Sequence, residues 1–321
     1  MSESDLPSAD PLPPASRRFA VIIPAFNEAE NMPDLFLELA GTFDRSGLDG
    51  EIVLVDDGST DGTFERATEA ARAAGVEVQT TLLRHRTNRG KTAALVTAAR
   101  ASDAPRFVLF DADLQHSTDE IPRFLDSLDE GFDVVAGRKI GDYPKRLVSG
   151  IYNGLSRAIF RVPVGDLNSM KAFRREVVDE IHLREDWHRY LVVLAHDRGF
   201  RIGEIDIRLL PRRRGESKYT GQGRVVVGLL DLVSVWFQLV FSRKPMLFFG
   251  LTGIVMMGLG VLVGLAALFL RFVLDTGFRP LLTLVVFLVL LGGLLFVAGL
   301  LAELIAGLRA EVEDLRREIG R

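Results

Sequence analysis

Two stretches near the C-terminal end, residues 246–270 and 281–302, contain no charged side chain. At about 1.5 Å of rise per residue, either one as a helix crosses the roughly 30 Å hydrocarbon core of a bilayer. The connection between them, RFVLDTGFR, is too short to be a domain, so residues 245–306 are expected to form a transmembrane hairpin. Gly260 and Gly264 lie four apart on the first stretch, with Gly292, Gly293 and Gly299 on the second, a composition suited to close helix packing.

The flanking segments fit a membrane-anchored chain. Residues 225–244 are nearly as apolar, but Asp231, Ser234, Gln238 and Ser242 recur at helical spacing. That narrow polar stripe predicts a helix lying in the interface, because a third span would place a carboxylate in lipid. Residues 1–18 are Pro/Ser-rich and acidic with no apolar run, which predicts a disordered tail rather than a secretory signal. The domain that follows and the charged tail over 307–321 are therefore expected on the cytoplasmic side of the plasma membrane. A net charge of −4 and a pI of about 5.8 argue against a general nucleic-acid binder. The absence of cysteine excludes disulfides, thiolate metal sites and a cysteine nucleophile.

From Phe19 to about Gly137, short apolar runs alternate with amphipathic stretches. FAVIIP, EIVLVDD, VEVQTTLL, RFVLFDAD and FDVVAGR read as strands, and 28–45, 61–74, 90–101 and 118–129 as helices. This order predicts a mainly parallel sheet covered by helices, within a domain spanning 19–224. Ligands of such sheets bind at the carboxyl ends of the strands. PAFNE, DDGS, DAD and GRK all fall at predicted strand ends. Beyond them, 144–160 has helical periodicity, and the chain becomes basic around GRKIGDYPKR and PRRRGESKY.

Asp111 and Asp113 end a run of apolar β-formers, and two carboxylates so close repel each other unless a cation intervenes. In this D-x-D spacing both can reach one Mg²⁺ or Mn²⁺, hard cations that take carboxylate oxygens and share themselves with a diphosphate. A nearby basic side chain or solvent would serve the same electrostatic need.

IIPAFNEAENM, VDDGSTDGT, NRGKTAAL and DADLQH, in this order and spacing, resemble glycosyltransferase family 2, which has the GT-A nucleotide-sugar-binding fold. GRK, FRREVVDEI, HRYL and RRRGESKY, followed by the apolar hairpin, resemble its polyprenyl-phosphate branch. The resemblance covers about 19–306. It implies a metal-dependent, membrane-bound enzyme moving a sugar from a nucleotide-diphosphate sugar to a polyprenyl phosphate. By the same resemblance, Asp56 accepts a hydrogen bond from the nucleobase. Pro24, Asn27 and Glu28 shape the base and ribose pocket, Lys91 lies near the nucleotide, and Asp111, Ala112 and Asp113 line the donor site. Asp111, Asp113 and Gln115 hold the metal, and Asp166 lies near the reacting centre with Asp111 and Asp113. Arg138, Arg146, Ser149, Arg212 and Lys218 hold the acceptor phosphate.

The expected chemistry is in-line displacement with inversion at the anomeric carbon. UDP-glucose is the first donor suggested by the two-span architecture, with GDP-mannose the alternative. A homo-oligomer such as a tetramer is permitted. His116 and His188 are expected in structural or capping roles, and Asp57 as a turn residue. A processive polysaccharide synthase would carry Gln-x-x-Arg-Trp and more spans, which this chain lacks. A non-enzymatic membrane scaffold would be expected to have lost part of the acidic or basic set.

Overall fold

The computed structural model describes residues 18–141, 162–167, 169–181, 183–184, 187–211, 237, 245–274 and 279–319. The helix expected over 144–160 lies outside them, as does the interfacial helix expected over 225–244 apart from Phe237. The chain separates into two compact units, Met1–Gly221 and Gln222–Arg321.

In the first unit, strands and helices alternate as β1 (Phe19–Ala25), α1 (Met32–Ser46), β2 (Gly50–Asp56), α2 (Thr63–Ala73), β3 (Thr80–Arg84), α3 (Lys91–Ala101), β4 (Arg106–Leu109), α4 (Ile121–Asp129) and β5 (Val134–Ile140). Then follow β6 (Lys171–Arg174), α5 (Arg175–Glu180), α6 (Leu191–Asp197) and β7 (Ile202–Arg208). They build one seven-stranded sheet in the order β3-β2-β1-β4-β6-β5-β7. This is the α/β architecture of the GT-A fold class.

Strand alternation sorts the core into two faces. Val21, Ile23, Ile52, Leu54 and Val108 join α1, α2 and α4 in one apolar cluster. Ile22, Val53 and Val55 are equally buried, and α3 packs against β1 and β2. Burial on both faces explains why these strands read as continuous apolar runs. Parallel pairing sets Ala25 beside Asp56 and Ile22 beside Leu109, so β1, β2 and β4 end along one edge.

Three details depart from the sequence expectation. β6 runs antiparallel between β4 and β5, with Val108 opposite Ala172 and Val135 opposite Ala172 on its other side. Its four-residue length carries too little periodicity to read from sequence. β3 begins at Thr80 rather than Val76, because the Thr80 amide bonds the Glu77 carbonyl in a turn. β4 stops at Leu109, two residues short of Asp111, and the chain turns at Ala112 and Asp113.

The second unit is an antiparallel pair, α7 (Pro245–Phe272) and α8 (Arg279–Ile319). Both are long and apolar enough to cross a membrane, and their apolar side chains face outward, as at Leu262 (64% exposed) and Leu294 (68%). α8 continues as one helix through the charged tail. The tight contacts are at Gly253 and Gly292, where an added Cβ would lie 2.5 Å and 2.7 Å from the opposing carbonyl oxygen. Gly250 and Gly299 form a second close approach, whereas Gly264 makes only ordinary contacts and Gly293 none. Gly292→Leu should therefore cost about 1–3 kcal/mol through overpacking and lower the unfolding midpoint in detergent, while Gly293→Leu leaves it nearly unchanged. Equal midpoints for the two variants would contradict this packing.

Candidate active site

The carboxyl edge of the sheet opens into a cleft of about 180 Å³. Pro24, Ala25, Phe26 and Glu28 come from the end of β1, and Asp57 from the end of β2. Asn88, Gly90 and Lys91 approach from the start of α3, and Asp111, Ala112 and Asp113 from the end of β4. Six residues singled out in the sequence as donor-binding thus line one cleft: Pro24, Glu28, Lys91, Asp111, Ala112 and Asp113.

The walls are tied together by side-chain bonds to backbone. Asn27 takes a left-handed conformation (φ 52°), which asparagine tolerates. Its amide donates to Ser59 Oγ at 2.8 Å, and its Oδ1 accepts from the Thr60 amide at 2.9 Å. The Glu28 amide donates to Thr63 Oγ1 at 2.9 Å, and Glu28 Oε2 accepts from Asn31 Nδ2 at 2.6 Å. The bonds to Ser59, Thr60 and Thr63 lock the β1 exit onto the segment after β2, and the Asn31–Glu28 bond closes that exit on itself.

Asp57 does more than form a turn. Its carboxylate is buried and accepts from the Arg89 amide at 2.9 Å and the Gly90 amide at 2.7 Å. His85 Nδ1 lies 2.6 Å from the same carboxylate, and its Nε2 3.0 Å from Thr97 Oγ1. The loop that delivers Lys91 is therefore held from below by one carboxylate. Gly58 (φ 74°) makes this possible, since a Cβ there would lie 2.6 Å from the Thr87 carbonyl carbon.

Lys91 Nζ donates to Asp111 Oδ1 in a direct ion pair. Burial raises the Asp111 pKa, but the Lys91 charge and hydrogen bond, helped by His116 and His188, hold it far below the usual carboxylate range. Asp113 Oδ1 accepts from the Gln115 amide at 3.2 Å. Between them Leu114 is buried with φ 53°, a conformation that costs a leucine on the order of 1 kcal/mol and turns the chain sharply after the second aspartate. Gln115 is fixed through its backbone, its carbonyl accepting from the Leu210 amide at 2.8 Å, and it is not among the residues lining the cleft.

Among the described residues, no three His, Cys, Asp or Glu side chains converge as a closed metal cage. Two carboxylates on one cleft wall nevertheless suit Mg²⁺ or Mn²⁺. Magnesium typically binds one or two protein carboxylates and completes its shell with substrate phosphate and water.

Asp56 is fully buried behind the cleft. Its Oδ1 accepts from the Ser59 amide at 3.0 Å, and Arg84 Nε lies 3.1 Å from Oδ2. A nucleobase would reach it only if covering groups, Arg84 among them, moved aside. Asp166 is buried, with Lys139 Nζ 3.5 Å from its Oδ2. Arg138 is engaged by carboxylates: Nε to Asp206 Oδ1 at 2.6 Å and Nη2 to Oδ2 at 2.9 Å, with Glu204 at 3.6 Å. Arg146, Ser149, Arg212 and Lys218 lie outside the described residues.

Both histidines are buried. His188 is bound to the first turn of α3, its Nδ1 3.1 Å from Thr92 Oγ1 and its amide donating to the same oxygen at 3.1 Å. Burial, reinforced by Lys91 and Lys171, pushes its pKa well down. Burial likewise lowers His116, against the opposing pull of Asp111, and its buried Nδ1 has no hydrogen-bond partner among the described residues.

Lys171, at the start of β6, was not singled out in the sequence. It is 2% exposed, and its Nζ donates to the Ser169 carbonyl at 2.8 Å. Burial, with repulsion from Lys91, pushes its pKa down to about 7 against the pull of Asp166 and Asp111. A lysine inside the apolar run SMKAF is the signal that could have found it. An unfolded lysine titrates near ~10.4, so between the two values the unfolded chain binds the extra proton. Stability from this group therefore rises as pH increases from about 7 toward about 10. The stability of the wild type relative to Lys171→Met should grow between pH 7 and 9, read by thermal unfolding. A pH-independent difference would refute the lowered Lys171 pKa.

The sequence model described as glycosyl transferase family 2 matches residues 20–181. Dodecaprenyl-phosphate galacturonate synthase of Rhizobium johnstonii is 31% identical over 307 residues, covering 92% of this chain and 89% of the relative. Undecaprenyl-phosphate 4-deoxy-4-formamido-L-arabinose transferase of Aeromonas hydrophila is 27% identical over 262 residues, covering 80% and 77%. Among solved structures, glucosyl-3-phosphoglycerate synthase of Mycobacterium tuberculosis with Mg²⁺ and uridine diphosphate superposes with a TM-score of 0.54 at 20% identity. The match covers 68% of this chain and 80% of that one, a likeness of fold.

Proposed function

The chain belongs to glycosyl transferase family 2, in its polyprenyl-phosphate branch, and from that premise we propose that it is an inverting, metal-dependent transferase of the cytoplasmic face of the plasma membrane. It takes a sugar from a nucleotide-diphosphate donor, UDP-glucose being the first to test, and places it on the phosphate of a polyprenyl phosphate. The observation that carries this reading is the cleft in which Lys91, Asp111 and Asp113 meet at the sheet's carboxyl edge.

In this reading the donor's diphosphate lies along that wall, and Lys91 exchanges part of its contact with Asp111 for a phosphate oxygen. Mg²⁺ or Mn²⁺ held by Asp111 and Asp113, with Gln115 the third candidate, would stabilise the charge developing on the departing nucleoside diphosphate. Pro24, Asn27, Glu28, Ala112 and Asp56 shape or support the nucleoside end. The acceptor's phosphate oxygen attacks the anomeric carbon as the bond to the diphosphate oxygen breaks. An ionised phosphate is already nucleophilic, so positioning supplies much of the rate and no strong base is needed. Asp166, close to Lys139, then serves to orient that ammonium near the reacting centre. Arg138, Arg146, Ser149, Arg212 and Lys218 remain the candidates for the acceptor phosphate. For Arg138 this requires release from Asp206.

A second reading changes only the sugar. The Rhizobium relative is named for galacturonate, and a uronic-acid carboxylate would find cations in Lys139 and Lys171, which stand in the electrostatic neighbourhood of Asp166 and Asp111.

Membranes containing the protein, polyprenyl phosphate and Mg²⁺ or Mn²⁺ should move label from one of UDP-glucose, UDP-galacturonate, UDP-GlcNAc or GDP-mannose into the organic phase. EDTA should abolish the transfer, and Asp113→Asn should reduce it roughly 10²-fold or more, by loss of charge stabilisation in the transition state. No transfer from any donor, together with no nucleotide binding, would favour the scaffold reading.

A further inference from the structure

α8 carries a regular apolar repeat that its partner helix leaves open. Leu301, Ile305, Leu308, Val312, Leu315 and Ile319 follow one another at alternating spacings of four and three. That is the seven-residue period of a coiled coil, with Ile305, Val312 and Ile319 at a and Leu301, Leu308 and Leu315 at d. Five of the six are measurably exposed: Leu301 56%, Ile305 66%, Leu308 61%, Val312 49% and Leu315 55%.

α7 packs on the opposite side of this register. Its glycines approach Val285, Leu288, Val289, Gly292, Phe296 and Gly299, at b, e or f and none at a or d. The Met246 amide, in the first turn of α7, donates to Glu303 Oε2 at 3.1 Å, and Glu303 also falls at f. α7 therefore begins level with Glu303, and the last turns of α8 run on past it by about 1.5 Å per residue. Seven of the eleven residues from 309 to 319 are charged, so a continuing apolar stripe there is not a continuation of the span.

We propose that this face pairs with the same face of a second copy of the chain, as a parallel two-stranded coiled coil that begins in the last turns of the span and continues beyond the membrane. Three features select that occupant. β-branched residues at a with leucine at d favour two strands. The flanking charges are complementary: Glu311 at g faces Arg316 at e of the next heptad in a parallel partner, and twofold symmetry makes the pair twice. Two copies inserted in one bilayer with the same topology present their C-terminal helices in parallel, the orientation this pattern needs. About three heptads are marginal in free solution, but confinement to one membrane raises the effective concentration of the partners. The parallel orientation rests on the membrane reading. The pairing itself needs neither donor nor acceptor.

The absence of cysteine makes the test direct. Single-cysteine variants Leu315→Cys (d) and Ala310→Cys (f) of the full chain are oxidised mildly in native membranes, and only chain that resists carbonate extraction is scored. That scoring separates failed insertion from failed pairing. Leu315→Cys should give several-fold more disulfide-linked dimer than Ala310→Cys. Adding Glu311→Arg should lower the dimer yield, and adding Arg316→Glu to that should restore it. Equal yields at 315 and 310, or indifference to the charge changes, would overturn the proposal. So would dimer-free Leu315→Cys, with the stripe covered by the chain's own 222–244 segment.

Discussion

The cleft at the sheet's carboxyl edge depends on how negative charge is managed at the end of one strand. β4 delivers Asp111, and the bend after it brings Asp113 to the same wall. Lys91 answers the repulsion from across the cleft by pairing with Asp111. A cation supplied by the protein keeps Asp111 ionised, and hence ready to accept a metal or to yield the ammonium to an incoming phosphate. The pair exists only because α3 starts where it does, and α3 starts there because Asp57 holds the Arg89 and Gly90 amides. A buried carboxylate in the cleft wall thus sets the position of a cation beside it.

The same electrostatic economy extends inward. Asp166 and Lys139 lie within ion-pair distance, and Lys171 is buried with its ammonium on a backbone carbonyl. Buried lysines are costly, and one retained at the edge of a candidate polyanion site is disposed to offset charge brought in by a ligand. Arg138 shows the converse case. Exposed and basic, it is held by Asp206 and Glu204, so any contact it makes with an acceptor must compete with two carboxylates.

Much of this was legible in local pattern. Uncharged runs of membrane length, strand-length apolar segments at regular spacing and acidic residues at their ends specify a doubly covered sheet, a long-helix hairpin and the cleft wall. The seven-residue repeat of α8 is likewise readable from spacing alone. Less legible were the short antiparallel β6, whose four residues carry no period, and the helix contact, where Gly253 and Gly250 rather than Gly264 meet the opposing backbone.

The sequence by itself determined the element types, the order of the parallel strands' acidic ends and the apolar length of the hairpin. These depend on side-chain periodicity and transfer from water, both of which act over neighbouring residues. Only the tertiary structure decided that Lys91 pairs with Asp111, twenty residues on, that Asp57 anchors the loop thirty-two residues away, and that Lys171 lies buried beside the site. Such pairings are set by where the sheet places its strand ends, because charges separated along the chain interact only once packing removes the water between them.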